Sequence, residues 1–306
     1  MLTDTELMWP LMEDAAQALL VRYLPAAQAA AAPHGLSPTA WHGWLIAAFF
    51  LRPEHLTLET IAKRDPYSAP ARWRSRLEKA TQLGYLVQDE RQGYSLTPVG
   101  EKAADGVVQA IYRAMERLQP VGEAHLEQMA ALLERLVTAS LAAPEPPHQW
   151  ALELSRQSDP GPTAPAMIRI DQLLTDLDAY RGDCHTSAWQ PLGVSGLAWE
   201  MLTLIWHGEA RAAVDFESKL QRRGYRRDTF VRALDELSQR GWVAGDAQAV
   251  DITRTGREAR ETVEAQTDEY FYRPWVVLSA EERERLKQWL TDFVEGLRRE
   301  PAGTGD

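Results

Sequence analysis

The feature that most constrains the fold of this 306-residue chain is an internal repeat, because the second half matches the first at an offset of about 157 residues. Residues 77–86 (LEKATQLGYL) align with residues 234–243 (LDELSQRGWV), which keeps the leucine, the glycine and the aromatic residue in register. Residues 96–100 (LTPVG) align with residues 252–256 (ITRTG), so the second turn is one residue shorter. Chance similarity of two amphipathic helices is the alternative, but the shared order of these features favours a duplicated module.

Each copy predicts the same series of secondary-structure elements. An apolar helix, a short polar helix and a helix that ends at a glycine are followed by a β-hairpin, and a Thr-x-x-Gly step then opens two long helices. The predicted helices span residues 40–52, 57–64, 70–83, 98–118 and 123–142 in the first copy and 197–207, 212–223, 227–240, 254–272 and 279–299 in the second. Since helix-forming residues also dominate the composition, we expect a mainly α fold with small β-hairpins.

Two proline-rich stretches separate the copies and bound a linker. The predicted organisation is a first lobe over residues 1–143, a linker over 144–165, a second lobe over 166–300 and a disordered tail over 301–306. Within the second lobe, residues 167–180 form an amphipathic helix that takes the place of residues 15–32 in the first.

The net charge of −11 is unevenly distributed, so it is a poor guide to the partner. Residues 37–118 hold 11 Lys and Arg against 9 Asp and Glu, whereas residues 119–193 hold 4 against 10. A single cysteine excludes an internal disulfide, and no apolar run is long enough to span a membrane. The acidic amino-terminal residues are unlike a signal peptide, so we expect a cytoplasmic protein.

Three helices followed by a two-stranded wing form a winged helix-turn-helix, in which the helix before the wing enters the major groove of DNA. The chain resembles the MarR family of bacterial regulators in its Asp89-x-Arg91 turn and its step from Leu96 and Thr97 to Gly100, as well as in the order of its helices. MarR-like proteins are dimers of single-lobed chains. The resemblance therefore implies a transcriptional regulator that binds double-stranded DNA. It also implies that four helices of this chain pack together as an internal pseudo-dimer: 11–32, 123–142, 167–180 and 279–299.

The first copy carries the stronger candidates for DNA contact. Its predicted recognition helix presents four cations that suit phosphate and guanine-edge contacts: Arg72, Arg74, Arg76 and Lys79. By resemblance, Arg91 at the wing tip reaches the minor groove and Asp89 braces its guanidinium. A solvated charged helix face and an ordinary exposed hairpin charge are the alternatives.

The second copy combines its cations with acids, which predicts weaker DNA contacts or a supporting role. Its helix carries Arg226, Arg227 and Arg232 beside three acidic residues, and its wing carries Asp246 and Asp251 without a cation. A homodimer of the two-lobed chain would then supply two strong DNA-binding lobes.

A ligand pocket is a further expectation, since regulators of this kind are usually controlled by small molecules. Five tryptophans fall near the predicted helix junctions, where they could enclose a small apolar ligand or fill the core: Trp41, Trp44, Trp189, Trp199 and Trp206. Cys184 and His185 suggest redox or metal chemistry, but no accompanying metal-ligand spacing occurs, so we predict neither a metal nor another cofactor.

No catalytic motif of the common enzyme classes occurs, so we expect a protein that is not an enzyme. A tandem winged-helix DNA glycosylase is the main catalytic alternative, although the Gln-x-Gln pair typical of such enzymes is absent. A non-catalytic module that binds proteins or ligands through degenerate winged helices is the other alternative.

Overall fold

A computed structural model describes residues 8–34, 48–52, 54–246 and 248–299. Its helices are α1 Met8–Ala31, α2 Leu58–Arg64, α3 Pro70–Gln82, α4 Pro98–Glu116, α5 Glu123–Leu141, α6 Trp150–Arg156, α7 Ala166–Trp189, α8 Gly196–Trp206, α9 Ala213–Lys219, α10 Arg227–Gln239, α11 Arg254–Tyr272 and α12 Ala280–Arg299. Strands β1 Leu86–Gln88 and β2 Tyr94–Leu96 form one antiparallel hairpin, and β3 Val243–Gly245 and β4 Val250–Ile252 form another. The mainly helical fold with small hairpins is therefore confirmed. The predictions for Trp41, Trp44, the tail and residues 40–47 of the helix predicted over 40–52 lie outside the described residues.

The Thr-x-x-Gly step has the same structural role in both copies. The Thr97 hydroxyl accepts the Gly100 N–H at 3.1 Å, which caps α4, and donates to the Gly84 carbonyl at 2.5 Å. Thr253 caps α11 in the same way and donates to the glycine that ends α10 at 2.6 Å. A Cβ added at Gly100 would lie 2.1 Å from the Tyr85 carbonyl oxygen, so only glycine fits this approach of helix and hairpin.

The long helices pack in two equivalent groups. Helix α1 packs mainly against α4 and α12, and α7 packs mainly against α11 and α5. Arg298 of α12 binds the Asp14 carboxylate of α1 at 2.6 and 2.8 Å, while Arg169 of α7 pairs with Glu127 of α5 at 3.2 Å. The last helix of each half thus packs against the first long helix of the other half.

The proline-rich segment between the copies contains the short helix α6, which lies against α7. The Asp183 carboxylate of α7 accepts the N–H groups of Ala151 and Leu152 at 3.0 and 2.9 Å, so it caps α6 from a distant part of the sequence. Asp176 accepts the Ser155 hydroxyl and the Arg156 guanidinium, each at 2.6 Å. These bonds hold the middle of residues 144–165 on the helical core.

No helix in the described part of the chain has both the length and the apolar character that crossing a lipid bilayer requires.

Candidate nucleic-acid interface

Helix α3, the predicted recognition helix of the first copy, begins at Pro70 and buries Leu77 completely. Arg74 and Lys79 are exposed, and Arg76 lies over the Trp73 ring at 5.2 Å. Arg72 and Arg76 are both half-buried, and burial also lowers the pKa of the Arg76 guanidinium. Only 19% of the Arg72 side chain is exposed. Burial lowers the pKa of its guanidinium, which donates to the Ser68 hydroxyl at 2.9 Å. The predicted cations therefore share one helix but have unequal access to a ligand.

The first hairpin presents Arg91 at an exposed tip. One carboxylate oxygen of Asp89 accepts the backbone N–H groups of Arg91 and Gly93, both at 2.8 Å, and the other contacts the His55 imidazole. The hydrogen bond from the Gly93 amide is the main cause that lowers the pKa of Asp89 below its usual value, and the contacts with His55 and the Arg91 amide lower it further. Asp89 thus shapes the turn through the backbone and His55, whereas the sequence predicted that it braces the Arg91 guanidinium.

The second hairpin has the same turn chemistry without an arginine at its tip. Asp246 accepts the N–H groups of Gln248 and Ala249 at 2.8 and 3.2 Å, as Asp89 does in the first hairpin. A cation nevertheless approaches its second strand, because Arg211 from the connection between α8 and α9 pairs with Asp251 at 3.2 Å. The Arg211 carbonyl also accepts the Val250 N–H, an arrangement that the spacing of the sequence did not indicate.

Arg226, which precedes α10, and Arg227 and Arg232 within it have highly exposed side chains. The exposed fractions of the Arg226, Arg227 and Arg232 side chains are 92%, 78% and 67%. All three have acidic neighbours: Asp228 lies 3.7 Å from Arg226 and 3.1 Å from Arg232, and Glu217 lies 3.0 Å from Arg227. The second copy therefore offers accessible cations whose charge is partly compensated.

The tryptophans of the second copy pack against one another and against a buried arginine. Trp189 and Trp199 are buried and stack with ring centroids 6.2 Å apart. The Arg260 guanidinium lies 4.5 Å from the Trp199 ring and 5.0 Å from the Trp206 ring. Core packing, one of the two roles considered for these tryptophans, accounts for this arrangement.

The neighbouring Cys184 thiol is also buried, and burial raises its pKa, which disfavours the reactive thiolate.

A cavity of about 590 Å³ lies elsewhere, between α1 and α7. Trp9 and Tyr23 line it together with carboxylates that include Glu13, Asp171 and Asp178. Burial raises the pKa of Asp171 to about 7. This cleft is more acidic than the apolar pocket that the tryptophan pattern suggested.

The connections that precede α3 and α10 contact each other, since the Ala69 N–H donates to the Arg223 carbonyl at 2.8 Å. The structure thus places the amino-terminal end of α3 against the connection that leads into α10, a juxtaposition that no local sequence pattern predicts.

Comparison with known proteins yields one family. A model of a helix-turn-helix family matches residues 101–303, about two thirds of the chain. The match includes α10 and its arginines, whereas α3 and Arg91 precede it. No curated protein and no solved structure matches. Helix-turn-helix units are DNA-binding motifs, so the match supports DNA binding at that level. By this match over most of its length, the chain belongs to a helix-turn-helix family.

Proposed function

We propose that this protein is a non-catalytic, DNA-binding transcriptional regulator with two MarR-like winged lobes in one chain. The main support for this proposal is that a unit of helix, hairpin and threonine-capped helix occurs twice. The second of these units lies within the helix-turn-helix match. The exchange of last helices between the halves supports an internal pseudo-dimer, because a dimer of single lobes would pack its terminal helices in this reciprocal way.

The first lobe makes the principal DNA contacts in this proposal. Arg74, Arg76 and Lys79 face the major groove and the phosphates, and Arg91 enters the minor groove. The ion pairs of the α10 arginines support the ranking, since an arginine that must leave a carboxylate gains less from a phosphate. The second lobe then adds weaker contacts, and a small molecule bound in the helical region would control the affinity.

Selection of bound fragments from a genomic DNA library at low salt tests the proposal, and affinities for an enriched fragment test the wing. Replacing Arg91 with Ala should weaken binding by about 1–3 kcal/mol if its contact is specific. Gln248→Ala at the tip of the second hairpin is the matched control and should change affinity little. Equal affinities of the Arg91 variant and the wild type would contradict the wing contact, and failure to enrich any fragment would favour a protein- or ligand-binding module.

A further inference from the structure

The segments that lead into α3 and α10 form a direct contact between the two lobes. In addition to the bond from Ala69 to the Arg223 carbonyl, Gly224 lies against α3 so closely that an added Cβ would be 2.8 Å from the Cβ of Arg72. A Cβ added at Gly196, the first residue of α8, would lie 2.2 Å from the Pro66 carbonyl oxygen. Glycine at positions 196 and 224 therefore permits the close approach of the lobes.

Polar side chains complete this contact, which we call the clasp and define as residues 65–72 of the first lobe with Trp189, Gly196, Glu200, Arg223 and Gly224 of the second. The Trp189 indole N–H donates to the Tyr67 hydroxyl at 2.9 Å. The Arg223 guanidinium binds both carboxylate oxygens of Glu200, with its shortest bond at 2.6 Å. It also reaches across to Asp65 at 3.3 Å.

Asp65 lies between two arginines that belong to different lobes. Its carboxylate oxygens are 3.3 Å from Arg223 and 3.8 Å from Arg72. The two guanidinium groups repel each other; burial is the main cause of the lowered pKa of Arg72, and repulsion by Arg223 is a smaller one. The Asp65 carboxylate thus neutralises like charges that the clasp brings together, a role that a DNA phosphate could also fill.

The clasp conflicts with simultaneous binding of both helices to DNA. Paired helix-turn-helix units contact half-sites about 34 Å apart, and the first residues of each recognition helix approach the bases. Here Ala69, the residue before α3, is hydrogen-bonded to Arg223, which precedes the start of α10 by four residues. Four residues span at most about 14 Å, so the amino-terminal ends of the two helices are held closer than the separation of two half-sites and cannot enter successive major grooves until the lobes separate.

We propose that the clasp is an autoinhibitory contact, in which Asp65 and Glu200 occupy the Arg72 and Arg223 guanidinium groups in place of DNA phosphate. The inference rests on the proposed DNA binding and adds its regulation. The ion pairs to Asp65 are largely buried in the closed state, with 18% of the Asp65 side chain, 19% of Arg72 and 31% of Arg223 exposed. A DNA phosphate would give the two arginines a replacement for the carboxylate that they lose on opening, so DNA can favour the open state. DNA and Asp65 compete for the same cations, and binding one displaces the other.

Two substitutions open the clasp by different means and leave its arginines in place. Asp65→Asn removes the carboxylate between the two guanidinium groups, and Asp105→Asn, at an exposed position in α4, is the control for loss of one negative charge. Gly196→Ala introduces the clash with Pro66 without changing charge. Gly106→Ala is its control, because a Cβ at Gly106 meets nothing within 4 Å.

Opening and DNA affinity are measured separately. Spin labels on cysteines at positions 90 and 248, both exposed and on different hairpins, report the distance between lobes, while the native Cys184 is buried. Asp65→Asn and Gly196→Ala should lengthen this distance and tighten binding to an enriched fragment by about fivefold or more relative to their controls.

Longer distances without tighter binding, or unchanged distances in both clasp variants, would overturn the autoinhibitory role. If no variant binds DNA at low salt although the labels report opening, the proposed function itself fails, and the inhibitory role fails with it.

Discussion

His185 of helix α7 is held as a neutral, half-buried imidazole, and this makes the stability of the protein depend on pH. Its Nε2 accepts the Trp199 indole N–H at 3.0 Å, so Nδ1 carries the proton and lies 3.2 Å from the Thr267 hydroxyl. Burial, followed by the charges of Arg260 and Arg181, lowers its pKa from 6.5 to about 3. The folded core therefore resists protonation of this side chain.

The sign and size of the effect follow from proton linkage. Between about pH 3 and pH 6.5 the unfolded chain binds a proton at His185 that the folded chain does not bind, so the folded state loses stability as the pH falls. For these two pKa values, acidification from about pH 7 to about pH 5 should lower the free energy of unfolding by about 2 kcal/mol through this residue alone.

His185→Gln tests the prediction, because glutamine can accept the Trp199 N–H and donate to Thr267 but cannot titrate. Burial raises the pKa of Asp171 to about 7 and of Asp183 to about 6, so these carboxyls stabilise the fold on acidification in both proteins and cancel in the comparison. Urea unfolding at both pH values should show a loss about 2 kcal/mol larger in the wild type than in the variant. Parallel pH profiles would refute the neutral, half-buried imidazole.

Three further substitutions test the local architecture by urea unfolding. Asp183→Asn should lower the free energy of unfolding by about 1–3 kcal/mol, because one of the two α6 amides that bind its carboxylate loses its acceptor, and unchanged protection of both the Ala151 and Leu152 amides from hydrogen exchange would contradict this. Gly256→Ala should lower the free energy of unfolding by about 1–3 kcal/mol, since the added Cβ would lie 2.1 Å from a carbonyl oxygen. Gly182→Ala is the control, because its added Cβ meets nothing within 4 Å, and equal effects of the two substitutions would refute the steric argument. Thr253→Val should cost about 1 kcal/mol through loss of the α11 cap, and a neutral result would show that the cap is dispensable.

The mainly helical fold with two small hairpins could be predicted because its signals are local. The glycines after α3 and α10 and the Thr-x-x-Gly steps are short-range patterns whose spacing specifies a helix end, a hairpin and a helix start. Helix α6 was missed because proline-rich flanks indicate a break, and its cap comes from Asp183, far along the chain. Tertiary hydrogen bonds of this kind leave no local sequence pattern.

The candidate interface was only partly predictable for the same reason. The sequence identifies the arginine-rich helix and the hairpin tip, but the surroundings of Arg72 include Arg223 and Gly224, which lie far away in the sequence. The ion pair between Asp65 and Arg223 joins residues 158 positions apart. The contact between Arg211 and Asp251 likewise depends on how a connection folds back onto a strand.

The comparison of the two hairpins separates the residues that form a turn from those available for a partner. Asp89 and Asp246 have the same structural role, since each carboxylate accepts backbone N–H groups of its own turn and so stabilises that turn. The Arg91 side chain, in contrast, is exposed at the tip, and the bond to Asp89 uses only its backbone N–H. Because the turn closes without an arginine in the second copy, the fold does not account for Arg91, and its guanidinium remains free to bind an external anion.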